Sequence, residues 1–411
     1  MTLYKFSIAV IALFSASFLQ AQGYSFTEKA VKKHVSYLAS DALEGRGTGT
    51  EGEKKAAAYI AKQFKKAGLA PKGTDGWYHT FTFKKSSDPH GMNHDGPAVN
   101  SQNVVGYLDN GAAYTIVIGA HYDHLGLGYD HNSLDANPEG KIHNGADDNA
   151  SGVAGVIEMA RYYAKNKVKE PHNFLFICFS GEELGLVGSK KYTETPTIDL
   201  TKVSFMVNMD MIGRLNENNK LVIGGVGTSP LFVPTLDAVK TDIAIKKDSA
   251  GVGPSDHTSF YLKGIPVLFA FTGQHGDYHK PSDDADKLNY SGEVRIFKLL
   301  TAVIQQLEGT SKLPYQETKT KEADTPRFKV TLGIMPDYTF EEEGVKVDGV
   351  TDGRPAAQAG VLKGDIIVGL GDMEVKDMQA YMKALAAHKK GDQTTVKVKR
   401  GAEVKVLNVT F

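Results

Sequence analysis

Five short stretches of this 411-residue chain bring carboxylates, two of them with imidazoles, into positions that could bind metal. They are AHYDH at Ala120–His124, NGADDNASG at Asn144–Gly152, SGEE at Ser180–Glu183, NMDMIGR at Asn208–Arg214 and TGQHGDYHKPSDD at Thr272–Asp284. Each has an ordinary reading by itself. An aspartate at a strand end usually caps a turn or the next helix, as the Asp147-Asp148 pair could, and a lone histidine is usually structural. Glu182 and Glu183 are harder to dismiss: two adjacent like charges at the lip of the apolar run Phe174–Phe179 repel each other and need a cation. Imidazole and carboxylate without thiolate suit zinc or another first-row divalent ion. Several carboxylates with two imidazoles exceed what one tetrahedral ion needs, and suit two ions about 3.5–4 Å apart bridged by a carboxylate and a water. One glutamate of the pair then binds metal, and its neighbour stays free to take a proton from the activated water. His121-x-Asp123 reads as a ligand with its orienting partner.

These stretches lie where an α/β sheet would gather them. Apolar strands are predicted at Val104–Leu108, Tyr114–Gly119, Asn173–Phe179, Val203–Val207, Leu221–Ile223 and Pro266–Phe271, with helical patterns at Ala150–Lys165, Pro230–Val239 and Gly292–Leu307. The alternation predicts an α/β domain with a mixed, largely parallel sheet and helices on both faces. Ligands of such sheets bind beyond the carboxyl ends of the strands, and four of the five stretches follow strands. Upstream, Gly47–Gly52 formally matches a dinucleotide fingerprint but follows a helix rather than a strand. Thr50 and Glu53 read instead as a capping box opening the next helix.

In this order, GAHYDH, GADDNASG, SGEELGLVGS, NMDMIG, SDHTSF and YHKPSDD resemble the co-catalytic zinc exopeptidases of the bacterial leucyl aminopeptidase and glutamate carboxypeptidase type, over about Ala39 to Leu307. LEGRGTGTEGEKKAAAYI is similar to that family's entry segment. The resemblance implies that His121 and Asp210 hold one zinc ion, Glu183 and His279 the other, and that Asp148 and a water bridge the two. It implies Glu182 as general base, Asp123 as the partner of His121, and a cis peptide after Asp148. Asp256-His257 falls in a motif of less definite role and could equally cap the helix that reaches Leu262. Some 85 residues at the carboxyl end resemble a PDZ domain of the bacterial protease-associated type: TLGIMPD is similar to its carboxylate-binding loop and VTDGRPAAQAGVLKGDIIVGLGDMEV to its central segment.

Composition bounds the rest. Lys plus Arg number 47 against 48 for Asp plus Glu, which argues against a nucleic-acid or anionic-membrane partner. Residues 1–21 read as a secretory signal: Lys5, an apolar run at Phe6–Leu19, and a small residue, Ala21, at the cleavage point. The run is short for a membrane span, so stable insertion after cleavage is not expected. Cys178 is the only cysteine, which favours a bacterial periplasm or medium over an animal secretory route. The expected organisation is a signal at 1–21, a two-zinc peptidase domain at 22–308, a polar linker at 309–327 and a β-rich PDZ domain at 328–411.

The expected function is an exported metallo-aminopeptidase acting on peptides, with a carboxyl-terminal peptide as a possible PDZ ligand. A carboxypeptidase or dipeptidase on the same fold would need a cationic clamp, for which Arg46 and Arg214 are candidates. A glutaminyl cyclase would use one zinc ion, against the complete ligand set. A non-catalytic protein acting through its PDZ domain would have no use for intact ligands and base.

Overall fold

A computed structural model of the chain describes residues 24–85, 96–130, 132–318, 330–336, 340, 342–350 and 353–411. The signal expected at 1–21 and the stretch 319–329 lie outside the described residues. Among the described residues the larger sheet has nine strands: β1 (Ala70–Pro71), β2 (Tyr78–Lys84), β3 (Ala98–Leu108), β4 (Thr115–His121), β5 (Asn173–Phe179), β6 (Val203–Met209), β7 (Lys220–Gly224), β8 (Ala244–Lys247) and β9 (Val267–Phe271). Its order is β1-β3-β5-β4-β6-β9-β7-β8, with β2 paired to β3. The central strands β5, β4, β6 and β9 run parallel, while β3 and β7 join them antiparallel. The sheet is therefore mixed and largely parallel at its centre.

Period-two burial explains why these apolar runs are strands with helices on both faces. Val104, Ile116, Ile118, Phe174, Phe176 and Cys178 pack into one core, whereas Val105, Val117, Leu175, Ile177 and Phe179 pack into another. Helices α1 (Glu28–Leu38), α2 (Glu51–Ala67), α3 (Gly152–Lys165), α5 (Phe232–Ala238) and α7 (Tyr290–Leu307) contribute buried residues to the first core, and α4 (Val187–Glu194) and α6 (His257–Tyr261) to the second. The chain leaves β4 through α3 to reach β5 on one side. It then crosses through α4 to β6 on the other side of β4. That reversal is a topological switch point, the place where such sheets open a crevice.

Two local expectations change. Strand β3 begins at Ala98 rather than Val104 because its first half pairs residue for residue with β2, a strand absent from those expected. The capping box forms only in half. Thr50 Oγ1 accepts from the amide of Glu53 at 3.3 Å, but the Glu53 carboxylate accepts from the Gly49 amide and from the hydroxyls of Ser101 and Ser180. Fully buried and far from water, it is lifted to about 7 by that burial, against its hydrogen bonds.

The smaller unit is an antiparallel sheet of β10 (Ile334–Pro336), β11 (Val345–Val350), β12 (Ile366–Leu370), β13 (Met373–Glu374), β14 (Gln393–Arg400) and β15 (Glu403–Thr410), with helices α8 (Pro355–Ala359) and α9 (Met378–Ala386). It has its own core, including Val345, Val347, Ile367, Tyr381, Val396 and Val398.

The segment read as a linker from 309 begins as an ordered strap on the larger unit. Leu313 is buried and its amide donates to Ser204 Oγ; the Gln316 amide donates to the Thr228 carbonyl. The Thr318 amide donates to the Tyr261 hydroxyl, and Thr318 Oγ1 accepts from the Gly251 amide. The boundary that matters for stability therefore falls after Thr318. A chain ended at Lys312 loses a buried leucine and several hydrogen bonds, about 3 kcal/mol in all, so its unfolding midpoint should fall by about 5–10 °C relative to a chain ended at Thr318. Thermal melting of the two proteins checks this, and coincident midpoints would contradict it.

Candidate metal centre

The strand ends deliver the polar residues to one crevice. His121 is the last residue of β4; Glu182 and Glu183 follow β5 by a turn, and Asp210 follows β6 directly. Gly119 pairs with Asn208, so His121 and Asp210 leave their strands side by side. Asp148 comes from the loop that opens α3, and its peptide to Asn149 is cis. Asn149 ties that loop to the next one: its Nδ2 donates to the Met209 carbonyl, and its Oδ1 accepts from the amides of Met211 and Gly152. Asp283 Oδ2 accepts from the amides of both Asp147 and Asp148, fixing the loop from the far side.

Two donor groups meet at Asp148. His121 Nε2 lies 3.3 Å from Asp148 Oδ1 and 3.4 Å from Asp210 Oδ1. His279 Nε2 lies 3.2 Å from Asp148 Oδ2 and 3.1 Å from Glu183 Oε2. Donors about 2.0–2.1 Å from a tetrahedral ion are separated from one another by roughly 3.3–3.4 Å. All four separations sit near that edge length and above the 2.7–2.9 Å of a charged hydrogen bond. The buried His121 Nε2 has no hydrogen-bond partner. The donor set thus fits two divalent ions that share Asp148, one oxygen to each. Asp147 belongs to neither group: its Oδ1 accepts from the Gly213 amide at 2.6 Å, and its Oδ2 faces His275 Nε2 at 3.1 Å.

The electrostatics point the same way. Burial alone would lower the His121 and His279 imidazoles. Asp210 and Glu182 around the first, and Glu183 and Asp148 around the second, overcome it and lift both well above their ordinary range. Burial raises the Glu182 carboxyl well above its usual value; His121 opposes, and Glu183 and Asp210 reinforce. For Asp148, burial is outweighed by His124, His121 and His279, which hold it well below. The centre demands positive charge of the kind divalent ions would supply.

The other residues singled out from sequence have distinct places. The Asp123 carboxylate stands 3.7 Å from His121 Nδ1, whereas the Asp123 main-chain oxygen is at 3.2 Å, so the ring is oriented chiefly by the carbonyl. The carboxylate instead accepts from Thr48 Oγ1 at 2.8 Å and from the Glu182 amide at 3.1 Å, pinning the backbone of the expected base. Arg46 is fully buried and donates to the carbonyls of Leu38, Tyr122, Asn144 and Gly145. It sews the entry segment to the metal loops and cannot clamp a substrate. Arg214 is paired with Asp277 at 2.9 Å and lies 3.6 Å from Asp283. Asp256 occupies the N-cap position of α6 without a capping hydrogen bond; it is buried, and burial lifts it to about 7. The buried His257 ring stacks on Phe269. His124, which carried no role in the sequence reading, also faces Glu183, at 2.7 Å.

The choice between Asp147 and Asp148 is testable. Asp148→Asn should leave less than one ion per chain after dialysis, because both donor groups lose their shared oxygen. Asp147→Asn should retain the ions and lower only the melting temperature. Elemental analysis of the two variants decides, and the reverse pattern would show the shared ligand to be Asp147.

The family comparisons agree with this geometry. The model of peptidase family M28 matches residues 103–304 and that of the PDZ domain residues 321–411. A probable leucine aminopeptidase of Trichophyton verrucosum (strain HKI 0517) is 27% identical over 224 residues, 51% of this chain and 57% of its own length. The chain spans about half the length of the curated relatives it matches. Among solved structures, glutaminyl cyclase of Porphyromonas gingivalis has a TM-score of 0.56 at 17% identity, covering 68% of this chain and 98% of its own. A Zn-dependent exopeptidase of Parabacteroides distasonis ATCC 8503 has the same TM-score and identity, covering 69% and 99%. These two likenesses establish the fold and do not separate the chemistries. Residues 103–304 therefore match peptidase family M28, and residues 321–411 match a PDZ domain.

Proposed function

We propose that the protein is a two-zinc aminopeptidase that removes amino-terminal residues, with a preference for apolar ones. The observation that carries the reading is the lining of the cleft over the two donor groups. His121, Asp148, Glu182, Glu183, Asp210 and His279 form its floor, and Met211, Pro254, Phe269, Phe271 and Tyr278 stand around them with one polar residue, Gln274. No lysine or arginine is among the described residues that line it. With the floor carboxylates engaged by metal, a substrate's free α-amine could be received by an ion or by a carboxylate that holds none, and an apolar wall favours an apolar first side chain. A carboxypeptidase would need a cation there, and Arg46 and Arg214 are both engaged elsewhere.

Bound zinc ions would polarise the scissile carbonyl and activate the attacking water. The chain's own residues do the rest. His121, Asp210 and Asp148 would hold one ion, and Glu183, His279 and Asp148 the other. Glu182 takes a proton from the water as its oxygen bonds to the carbonyl carbon, then hands it to the departing amine nitrogen as the C–N bond breaks. Glu182 is suited to this by a main chain fixed at both ends: its amide donates to Asp123, and its carbonyl accepts from the amides of Gly185 and Leu186.

In the PDZ domain, β10 is an edge strand, and Gly333 just before it has φ +73°. An incoming chain end could add to that edge, with its carboxylate received by the loop from Thr331. The part of TLGIMPD at Asp337 lies outside the described residues. The apolar run at Phe6–Leu19 supports export to a periplasm or medium, and among the described residues no helix is long and apolar enough to cross a membrane.

Two measurements test the reading. Glu182→Gln should keep its metal while kcat falls by about 10²–10⁴-fold, whereas Glu183→Gln should loosen metal. An exchange of those phenotypes would reverse the roles within the pair. A leucyl peptide with a free amine should be trimmed stepwise and its N-acetylated form left nearly intact. Equal rates on the two would move the activity to another class of peptidase, and cyclisation of an amino-terminal glutamine without hydrolysis would move it to a cyclase.

A further inference from the structure

His124 lies on the metal-binding loop, yet neither the expected ligand set nor the proposed chemistry uses it. Its ring is buried against the second donor group. Nδ1 is 2.7 Å from Glu183 Oε1 and 3.8 Å from Asp148 Oδ2. The ring meets that of His279 edge-on, with centroids 5.8 Å apart. Its position is tightly set. The His124 amide donates to the Arg46 carbonyl, and Gly47 bridges to it in parallel. On the other side the ring packs on Gly145, where φ is +54° and an added Cβ would come within 2.4 Å of His124 Cδ2. A buried imidazole with this much constraint has a defined orientation.

The two distances at Glu183 differ in kind. His279 Nε2 to Oε2, at 3.1 Å, approaches the separation of two donors on one ion. His124 Nδ1 to Oε1, at 2.7 Å, is a hydrogen bond. We propose that His124 is a positioning residue for the second ion: its Nδ1–H holds Glu183 Oε1 and turns the carboxylate so that Oε2 is the oxygen presented to the ion. Glu183 thereby stays a one-oxygen ligand. Together with Asp148 Oδ2 and His279 Nε2 it makes three protein donors, which leaves a coordination position open for water or substrate. Without His124, Glu183 is free to swing and clasp the ion with both oxygens, closing that position. Orienting partners of this kind are worth about 10–100-fold in metal affinity or activity.

The inference rests on the two-ion reading, and the experiment separates the two. Metal-free wild type, His124→Ala, His124→Asn and His124→Gln are titrated with zinc against a competing chelator and, in parallel, with cobalt while the visible spectrum is followed. Asn places an amide N–H where Nδ1 stood; Gln places it further out, near Nε2. Wild type should take up two ions. His124→Ala should still take up two, with the second about 10–100-fold altered in affinity and the cobalt band of the second equivalent weakened by a higher coordination number. His124→Asn should recover the wild-type affinity and band, and His124→Gln should resemble Ala. A KM that rises more than kcat falls is expected for Ala, since substrate meets a closed position. An unchanged second affinity in His124→Ala overturns the inference, as does equal behaviour of Asn and Gln. A fall to one ion in His124→Ala also overturns it, because His124 would then be a ligand itself. A wild type that binds one ion fails the two-ion reading, and this inference with it.

Discussion

Mutual repulsion among carboxylates is the constraint on which the rest of this structure depends. Asp148, Glu182, Glu183 and Asp210 are gathered at one sheet edge, largely out of water. Such a cluster is tolerable only around positive charge. The imidazoles of His121 and His279 are spaced from these carboxylates as co-ligands rather than as ordinary ion pairs, and the fixed guanidinium of Arg46 lies buried below. The surrounding frame exists to hold these groups at separations that only a shared cation relieves.

That frame is built from main-chain hydrogen bonds more than from side-chain pairs. Asn149 joins the Asp148 loop to the Asp210 loop, Asp283 holds two amides of the Asp148 loop, and Asp123 holds the amide of Glu182. Arg46 spends its donors on four carbonyls from three segments. Each of these polar residues is tied to backbone, Asp123 to the Thr48 hydroxyl as well, and each thereby holds a loop rather than a ligand. The preorganisation is what lets one carboxylate, Asp148, offer an oxygen to each side.

Much of this was legible in the sequence, for a physical reason. Parallel strands buried on both faces read as apolar runs, and whatever follows each run lies at the same edge, so His121, Glu182, Glu183 and Asp210 could be placed together from strand order alone. Positions that depend on contacts distant in sequence were not legible. The Glu53 carboxylate has the spacing of a capping box, but Ser101 and Ser180, 48 and 127 residues away, claim it. Arg46 has the charge of a clamp, but its partners lie on three other segments. His124 follows Asp123 directly, and only the fold shows that Glu183, 59 residues on, is its acceptor. The polar composition of residues 309–318 suggested a free linker, whereas one buried leucine and a threonine make it a strap.

The account turns on two ions sharing Asp148. Diffraction from crystals of the zinc-loaded protein, measured on both sides of the zinc absorption edge, locates the metal directly. Two anomalous peaks about 3.5–4 Å apart are expected, one among His121, Asp210 and Asp148 and the other among Glu183, His279 and Asp148. A single peak in the fully active protein, or a pair that does not share Asp148, would contradict it.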